Sequence, residues 1–143
     1  MVERTAEAEW LGSVPGGSGT MELGSGAFKG AYSFASRFED GKGTNPEELI
    51  GAAHAGCFSM ALALALGQAG FEPRRIHTRA KVEIERVSDG FKITRIALDS
   101  EAKVAGIDAA AFQIQAEAAK KGCPVSRALA GVEIHLTARL AAS

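Results

Sequence analysis

Apolar positions are concentrated in residues 45–70, which predict a long helix with no polar face. No charged residue occurs within residues 49–67, where the only polar side chains besides Cys57 are His54 and Ser59. A helix that is apolar on all sides has to be buried on all sides. About 24 residues of helix extend about 36 Å, more than one small domain can cover. We therefore expect an obligate homodimer in which a second copy covers the remaining face.

Helix-start signals precede this stretch. Asn45 can cap the helix, Pro46 suits the first helical position, and Glu48 stands three residues after the cap, as in a capping box. Glu47 and Glu48 are favoured there by the helix dipole. The sequence thus predicts where the central helix begins.

The length of this helix would also fit a membrane span. Small Ala and Gly residues dominate it, however, and the remaining chain has the pattern of an amphipathic sheet, so we interpret it as the core helix of a protein without a membrane segment. Residues 1–10 are charged and contain no apolar core, which predicts no signal peptide and a cytoplasmic protein.

Alternation of apolar and polar positions predicts strands on both sides of the helix. The clearest strand covers residues 76–86, and Ser88-Asp89-Gly90 forms a hairpin turn after it. The next strand begins at Phe91 and shifts phase, which predicts a bulge near Arg95. The other predicted strands cover residues 3–10, 20–23, 32–38 and 132–140.

A second helix is predicted after Asp108, which can cap it. Phe112, Ala116 and Ala119 share one face, and Lys120-Lys121-Gly122 closes the helix. A short helical turn begins at Cys123-Pro124. The fold class is therefore α+β, with antiparallel strands around two main helices in a single domain over residues 1–143.

Composition narrows the classes of function. The chain of 143 residues has 46% hydrophobic residues, 23% charged residues and a net charge of −1, as expected of an ordinary soluble domain. The absence of a basic cluster argues against binding to nucleic acid. The two cysteines do not make a disulfide framework, and no Cys/His pair has the spacing of a metal site. We expect no cofactor and no metal.

The cysteines are the first candidates for chemistry. Cys57, inside an apolar helix, is either inert packing or a protected reaction centre. Cys123 can occupy the N-cap of a helical turn, where the dipole lowers the pKa of a thiol. A reactive Cys57 needs a nearby cation, and Arg37 is the strongest candidate; its other interpretation is a solvated arginine on a strand.

Other polar residues have simpler interpretations. Glu47 differs from an ordinary helix-start residue only if it meets Arg37. His54 stands three residues before Cys57, close enough on a helix to suggest a Cys–His nucleophile, but no Asn or Asp that would orient the histidine is evident. We therefore interpret His54 as a hydrogen-bonded core histidine, and His77 and His135 as solvated.

Several sequence blocks carry a family resemblance. Arg37-Phe38-Glu39, GTNPEELIGAAHAGCFSMAL, GFKITRIAL and KGCPVSRAL occur in this order over nearly the whole chain. Together they resemble the OsmC/Ohr family of thiol peroxidases, most of all its osmotically inducible OsmC branch. The chain differs slightly at Ala55-Gly56, where relatives often have two alanines.

The resemblance implies an OsmC-like fold and an intertwined homodimer that reduces organic hydroperoxides, with two sites at the subunit interface. By this resemblance Cys57 is the peroxidatic cysteine, Cys123 the resolving cysteine, and Arg37 and Glu47 the activating pair. A Cys57 thiolate would attack the peroxide to give a sulfenic acid and an alcohol, and Cys123 would then form a disulfide with it. An external dithiol, which the family suggests is a lipoylated protein or a small molecule, would reopen the disulfide.

The position of Glu47 raises a geometric question. Glu47 stands ten positions before Cys57, about 15 Å along a helix axis. The two side chains cannot meet within one straight helix. Either Arg37 bridges them, or Glu47 comes from the antiparallel central helix of the partner, which we favour.

Two other functions remain open at this stage. The chain could be a non-catalytic dimer that binds a small ligand in an apolar pocket, with both thiols structural. It could also be a redox sensor that passes its disulfide to a regulator. The fate of both thiols after one equivalent of peroxide, and turnover with excess dithiol, separate these functions from the enzyme.

Overall fold

The computed structural model describes residues 1–142. Its chain forms two compact units, residues 1–49 and the residues from Ile50 onward. The first contains the antiparallel strands β1 (Ala6–Leu11), β2 (Ser18–Leu23) and β3 (Lys29–Tyr32), in that order in the sheet. The first two strands were predicted, with slightly different bounds.

The prediction of a strand over residues 32–38 is wrong beyond Tyr32. Helix α1 (Phe34–Phe38) follows β3, and Ser33 caps it through a capping box with Ser36. The rings of Phe34 and Phe38 lie 5.1 Å apart, one helical turn from each other. Phe34 and Phe38 are four residues apart, a spacing that places them on one face of a strand and also on one face of a helix. This short segment therefore fitted both patterns, and the capping box favours the helix.

The predicted central helix is helix α2 (Pro46–Gln68). The amide of Glu48 donates to Asn45 Oδ1 at 2.7 Å, which confirms the predicted cap. The Glu48 carboxylate accepts a hydrogen bond from the hydroxyl of Thr44 at 2.9 Å. This helix is long and apolar enough to cross a membrane, but core helices of soluble proteins meet the same criteria of length and hydropathy.

Within one chain, α2 is buried on one face only. Phe58, Leu62 and Leu66 are fully buried in the core of the second unit, whereas Met60 and Leu64 are 77% and 62% exposed. The expected burial on every side is therefore not reached by a single copy. Residues 49–67 of this helix carry no charge, so the face outside the core exposes apolar side chains to solvent.

The second unit contains a sheet of mixed direction. Strands β4 (Pro73–Val87) and β5 (Gly90–Val104) form the predicted antiparallel hairpin. Glu83 pairs with Arg95 and Ile84 with Ile93, so Thr94 is the extra residue of the predicted bulge.

The last strand corrects the expectation of purely antiparallel strands. Helices α3 (Ala109–Gly122) and α4 (Pro124–Ala128) cross over, and strand β6 (Glu133–Leu140) pairs with β5 in parallel. Such a crossover is what a parallel connection requires. Asp108 caps α3 by accepting from the amide of Ala111 at 2.7 Å, as predicted. The predicted α3 face is also confirmed, since its three members are buried in the core: Phe112, Ala116 and Ala119.

Candidate functional site

An ion pair in the first unit joins two of the predicted site residues. Arg37 Nε lies 2.8 Å from Glu47 Oε1, the contact on which any role of Glu47 beyond the helix start depended. The Arg37 guanidinium also stacks over the Phe38 ring at 5.1 Å from its centroid. Arg37 is carried by α1 and not, as predicted, by a strand.

The two members of this ion pair differ in burial. The Arg37 side chain is 37% exposed and that of Glu47 only 7%. Glu47 Oε2 is buried and has no hydrogen-bond partner among residues 1–142. A buried carboxylate is tolerated only with a compensating cation. Glu47 therefore fixes the direction of the Arg37 fork, while the guanidinium keeps an accessible side.

A pocket of about 190 Å³ opens beside the guanidinium. Aromatic side chains dominate its lining, and Arg37 is the charged group in it. The lining residues are Trp10, Val14, Tyr32, Ser33, Phe34, Arg37 and Phe38. Such a surface suits a molecule with an apolar body and a polar end.

The second unit brings the two cysteines together. Cys57 on α2 is half-buried, Cys123 at the junction of α3 and α4 is fully buried, and both are free thiols. The two thiols are neighbours, since each affects the pKa of the other. The predicted position of Cys123 at the N-cap of a helical turn is confirmed, with Pro124 at the first helical position.

The environment separates the two thiols in acidity. Burial is the main cause that raises the pKa of Cys57, and the hydrogen bond with Cys123 adds to it, against the amide of Val125. Burial also opposes ionisation of Cys123, but hydrogen bonds from Cys57, from the amide and hydroxyl of Ser126 and from the amide of Val125 lower its pKa. Within this unit, Cys123 is the sulfur that ionises more readily.

His54 is the hydrogen-bonded core histidine that the sequence predicted. It is fully buried, and its Nε2 lies 2.7 Å from the hydroxyl oxygen of Ser126. Burial lowers the pKa of His54, which keeps the ring neutral. Nδ1 is buried without a hydrogen-bond partner among the described residues.

Sequence reasoning missed Ser126 and the aromatic pocket. Ser126 stands three residues after Cys123, which is the position whose amide a capping side chain binds, and this spacing was the available signal. Trp10 and Tyr32, whose rings lie 5.2 Å apart, come from different strands, and no local pattern indicates that they share a pocket. In the described part of the chain, His, Cys, Asp and Glu form no group of three that could hold a metal ion.

The chain is similar to proteins of one family. The profile of the family described as "OsmC-like protein" matches residues 39–137. Peroxiredoxin OsmC of Escherichia coli (strain K12) is 53% identical over 129 residues, 90% of each chain. The organic hydroperoxide resistance protein of Xanthomonas axonopodis pv. citri (strain 306) is 32% identical over 99 residues, 68% of each chain.

Solved structures show the same fold. The organic hydroperoxide resistance protein OhrB of Bacillus subtilis has a TM-score of 0.71 at 24% identity, covering 96% of this chain and 98% of its own. An organic hydroperoxide resistance protein OsmC of Legionella pneumophila has a TM-score of 0.72 at 22% identity, covering 96% of this chain and 97% of its own.

Proposed function

This chain belongs to the OsmC family as a cysteine-based hydroperoxide peroxidase, and we propose that Cys57 is its peroxidatic cysteine and Cys123 its resolving cysteine. The observation that carries the proposal is that these two sulfurs, which belong to the only cysteines of the sequence, are close enough for each to shift the pKa of the other. A disulfide joins cysteines whose Cα atoms lie within about 7 Å, so only thiols that are neighbours in the fold can form one.

In the first step, the Cys57 thiolate attacks the peroxide oxygen that is bonded to hydrogen. The O–O bond breaks, the sulfur becomes a sulfenic acid, and the departing alkoxide takes up a proton to give the alcohol. Arg37 favours this step by stabilising the thiolate and by donating to the departing oxygen. Glu47 keeps the guanidinium fork in place through its charge-assisted hydrogen bond.

In the second step, the Cys123 sulfur attacks the sulfenic sulfur of Cys57. The S–S bond forms, the S–O bond breaks, and water leaves. A thiol reductant then reopens the disulfide by exchange. We propose that this reductant is a lipoylated protein or a small dithiol in the cytoplasm, the compartment in which protein thiols are kept reduced.

We propose that the substrate is an organic hydroperoxide whose apolar group enters the aromatic pocket beside Arg37. The pocket is lined by the neighbouring rings of Trp10 and Tyr32 and by those of Phe34 and Phe38, and the guanidinium lies over the Phe38 ring. Burial of an apolar group there is favourable because it removes that group from water. Hydrogen peroxide, which has no apolar group, gains nothing from these rings.

We further propose that the enzyme is a homodimer. Met60 and Leu64 lie on an exposed apolar face of α2. This exposure supports a dimer, because a second copy would remove these side chains from water. The ten positions between Glu47 and Cys57 support a shared site, in which the Arg37–Glu47 pair of one copy serves Cys57 of the other.

Thiol counting tests the proposed function. The reduced protein is mixed with one equivalent of cumene hydroperoxide, and free thiols and intact mass are measured. We expect both thiols to disappear into one disulfide within a single chain, with one equivalent of alcohol formed. Two unreacted thiols would contradict the enzyme and favour a ligand-binding protein. Repeated turnover with excess dihydrolipoamide separates the enzyme from a sensor.

A further inference from the structure

A hydrogen-bond chain in the second unit leads from the sulfur pair to a residue that the proposed mechanism does not use. His54 Nε2 lies 2.7 Å from the Ser126 hydroxyl. Ser126 is the third residue of α4, the helix that has Cys123 at its N-cap, and it lowers the pKa of the Cys123 thiol, as the neighbouring Cys57 thiol also does. His54 and Cys123 are fully buried, and Ser126 is 7% exposed. The chain thus runs through the core, away from water.

Packing alone does not explain a histidine at this position. On α2, His54 stands on the face that carries Phe58, Leu62 and Leu66 into the apolar core. A buried polar ring costs free energy unless its hydrogen bonds are made, and here Nδ1 has no partner among residues 1–142. The hydrogen bond that His54 does make is with Ser126.

We propose that His54 is a positioning residue for the resolving step: through Ser126 it directs a hydrogen bond onto the Cys123 thiolate. This inference rests on the proposed function. The neutral ring donates its Nε2–H to the Ser126 oxygen, so the single hydroxyl hydrogen of Ser126 points away from His54 and toward the Cys123 sulfur. A hydrogen bond to the ionised form of a thiol favours that form.

The direction of the chain follows from the unpaired nitrogen. With the proton on Nε2, the buried and unpaired Nδ1 is a bare acceptor. In the opposite direction, Cys123 would donate to Ser126 and Ser126 to Nε2, which makes His54 an acceptor and leaves an N–H group buried at Nδ1. Only the first direction stabilises the anion that attacks.

The resolving step balances without a further reactant. The Cys123 thiolate supplies the electron pair of the new S–S bond, and the sulfenic oxygen of Cys57 leaves as hydroxide. That hydroxide takes up the proton that Cys123 had released, so a thiol and a sulfenic acid give a disulfide and water. His54 and Ser126 are unchanged at the end.

Three substitutions test the chain. His54→Leu removes the donor from the core, His54→Gln keeps an N–H donor, and Ser126→Ala breaks the link while leaving His54 in place. Ser59→Ala is the control, because Ser59 lies on the same helix and donates a part-buried hydrogen bond to Thr78 at 2.8 Å in the same unit. Circular dichroism and thermal unfolding verify that each variant is folded.

Stopped-flow mixing of the reduced protein with one equivalent of cumene hydroperoxide separates the two steps. Sulfenic acid is trapped in one series, and disulfide formation is followed in the other. Disulfide formation in His54→Leu and Ser126→Ala should be about tenfold slower, the usual effect of losing one hydrogen bond to a charged group. Sulfenic acid formation should remain within about twofold. His54→Gln and Ser59→Ala should behave like the parent.

A titration provides a readout that a merely structural role would not change. In a Cys57→Ser background, the ultraviolet absorbance of the Cys123 thiolate is followed against pH. The groups that bond to this sulfur are position 57 on α2 and Ser126 and Val125 on α4, with His54 behind Ser126. His54→Leu should move the midpoint upward by about one pH unit.

Two results would overturn the inference. Disulfide formation as fast in folded His54→Leu and Ser126→Ala as in the parent would show that the chain has no role in resolution. A His54→Gln variant as slow as His54→Leu would show that the ring acts as a base and not as a donor. If the parent protein itself forms no disulfide, the proposed function fails instead, and the two failures are thereby distinguished.

Discussion

The two units treat polarity in different ways. The first unit contains a partly exposed ion pair, in which the Arg37 side chain remains in contact with solvent and is held by the Glu47 carboxylate. In the second unit, no ion pair within residues 50–142 involves either sulfur. Hydrogen bonds from Val125 lower the pKa of both thiols, and those from Ser126 lower the pKa of Cys123. A charged group in contact with water keeps its hydration, whereas burying it in a core costs free energy. Hydrogen bonds, by contrast, become stronger as the surroundings become less polar.

The comparison shows which sulfur each region can activate. Hydrogen bonds in the second unit lower the pKa of Cys123, whereas burial raises that of Cys57. A peroxidatic Cys57 therefore needs a positive charge to favour its thiolate, and in the proposed mechanism the Arg37 guanidinium provides it. In the same mechanism, Cys123 is the resolving sulfur, and hydrogen bonds lower its pKa without a charged neighbour.

The largest expected effect comes from Cys57→Ser. A serine hydroxyl at this position is far too basic to form an anion near pH 7, so peroxide turnover should fall to the background rate, a loss of many orders of magnitude. Peroxide consumption with excess dithiol measures it. Turnover above background in Cys57→Ser would show that Cys123 is itself peroxidatic.

Cys123→Ser should preserve the first step and remove the second. The protein should consume one equivalent of cumene hydroperoxide at a rate within about tenfold of the parent, and then stall as a sulfenic acid or proceed to the sulfinic acid. Intact mass after one and ten equivalents distinguishes these products. A variant that forms no sulfenic acid at all would contradict the division of roles between the sulfurs.

Arg37→Ala should slow the first step by about 10² fold, the effect of removing one electrostatic donor from a reaction centre. Because the pKa of Cys57 is already raised by burial, loss of the guanidinium should shift the pH profile of sulfenic acid formation further upward. Stopped-flow rates between pH 6 and 9 test both expectations.

The controls for Arg37→Ala separate the loss of the cation from the effect of leaving the Glu47 carboxylate buried and unpaired. Arg37→Ala alone leaves Glu47 without its cation, so the double variant Arg37→Ala/Glu47→Gln should recover stability but not rate. Arg37→Lys retains the charge without the fork and should fall between. A normal first step in the double variant would show that the ion pair has no part in peroxide reduction.

The smallest expected effect concerns stability and pH. Burial lowers the pKa of His54 from its ordinary value of 6.5. Below that pH the unfolded chain binds a proton that the folded protein does not, so this contribution to stability is complete above pH 6.5 and is lost as the pH falls toward the folded-state pKa.

Urea unfolding at pH 7 and pH 5 measures this contribution. The parent should lose stability on acidification, by at most about 1.4 kcal/mol for each pH unit from this group. His54→Gln should lose less between the same two pH values. Equal losses in the two proteins would mean that His54 does not titrate differently on unfolding.

Local signals explain what the sequence predicted well. Asn45 and Asp108 cap helices through contacts within three residues, and the Pro124 that follows Cys123 marks Cys123 as the N-cap position of a helical turn. The bulge was visible because one extra residue shifts the phase of alternation. The family blocks indicated the residues that we propose as the site, and the structure shows a contact between two of them, Arg37 and Glu47.

Other features depend on contacts between distant parts of the chain. The hydrogen bond between His54 and Ser126 spans 72 positions, and no periodicity carries that information. The parallel direction of β6 was missed because alternation fixes the faces of a strand and not its neighbour. The error at Arg37, a helix where a strand was predicted, arose because five residues are too few to separate the two periods.

The crossover between β5 and β6 ties the fate of the reactive sulfur to an edge strand. Cys123 is carried by this connection, and β6 anchors its far end by parallel pairing along β5 and by the hydrogen bond of Arg139 with Glu101. In the proposed mechanism, local opening of β6 would release this connection, so that Cys57 would remain a sulfenic acid for longer and could react with a second peroxide. Heat inactivation during turnover should therefore follow the amide exchange of β6, so that a strand without chemistry of its own sets the working lifetime of the enzyme.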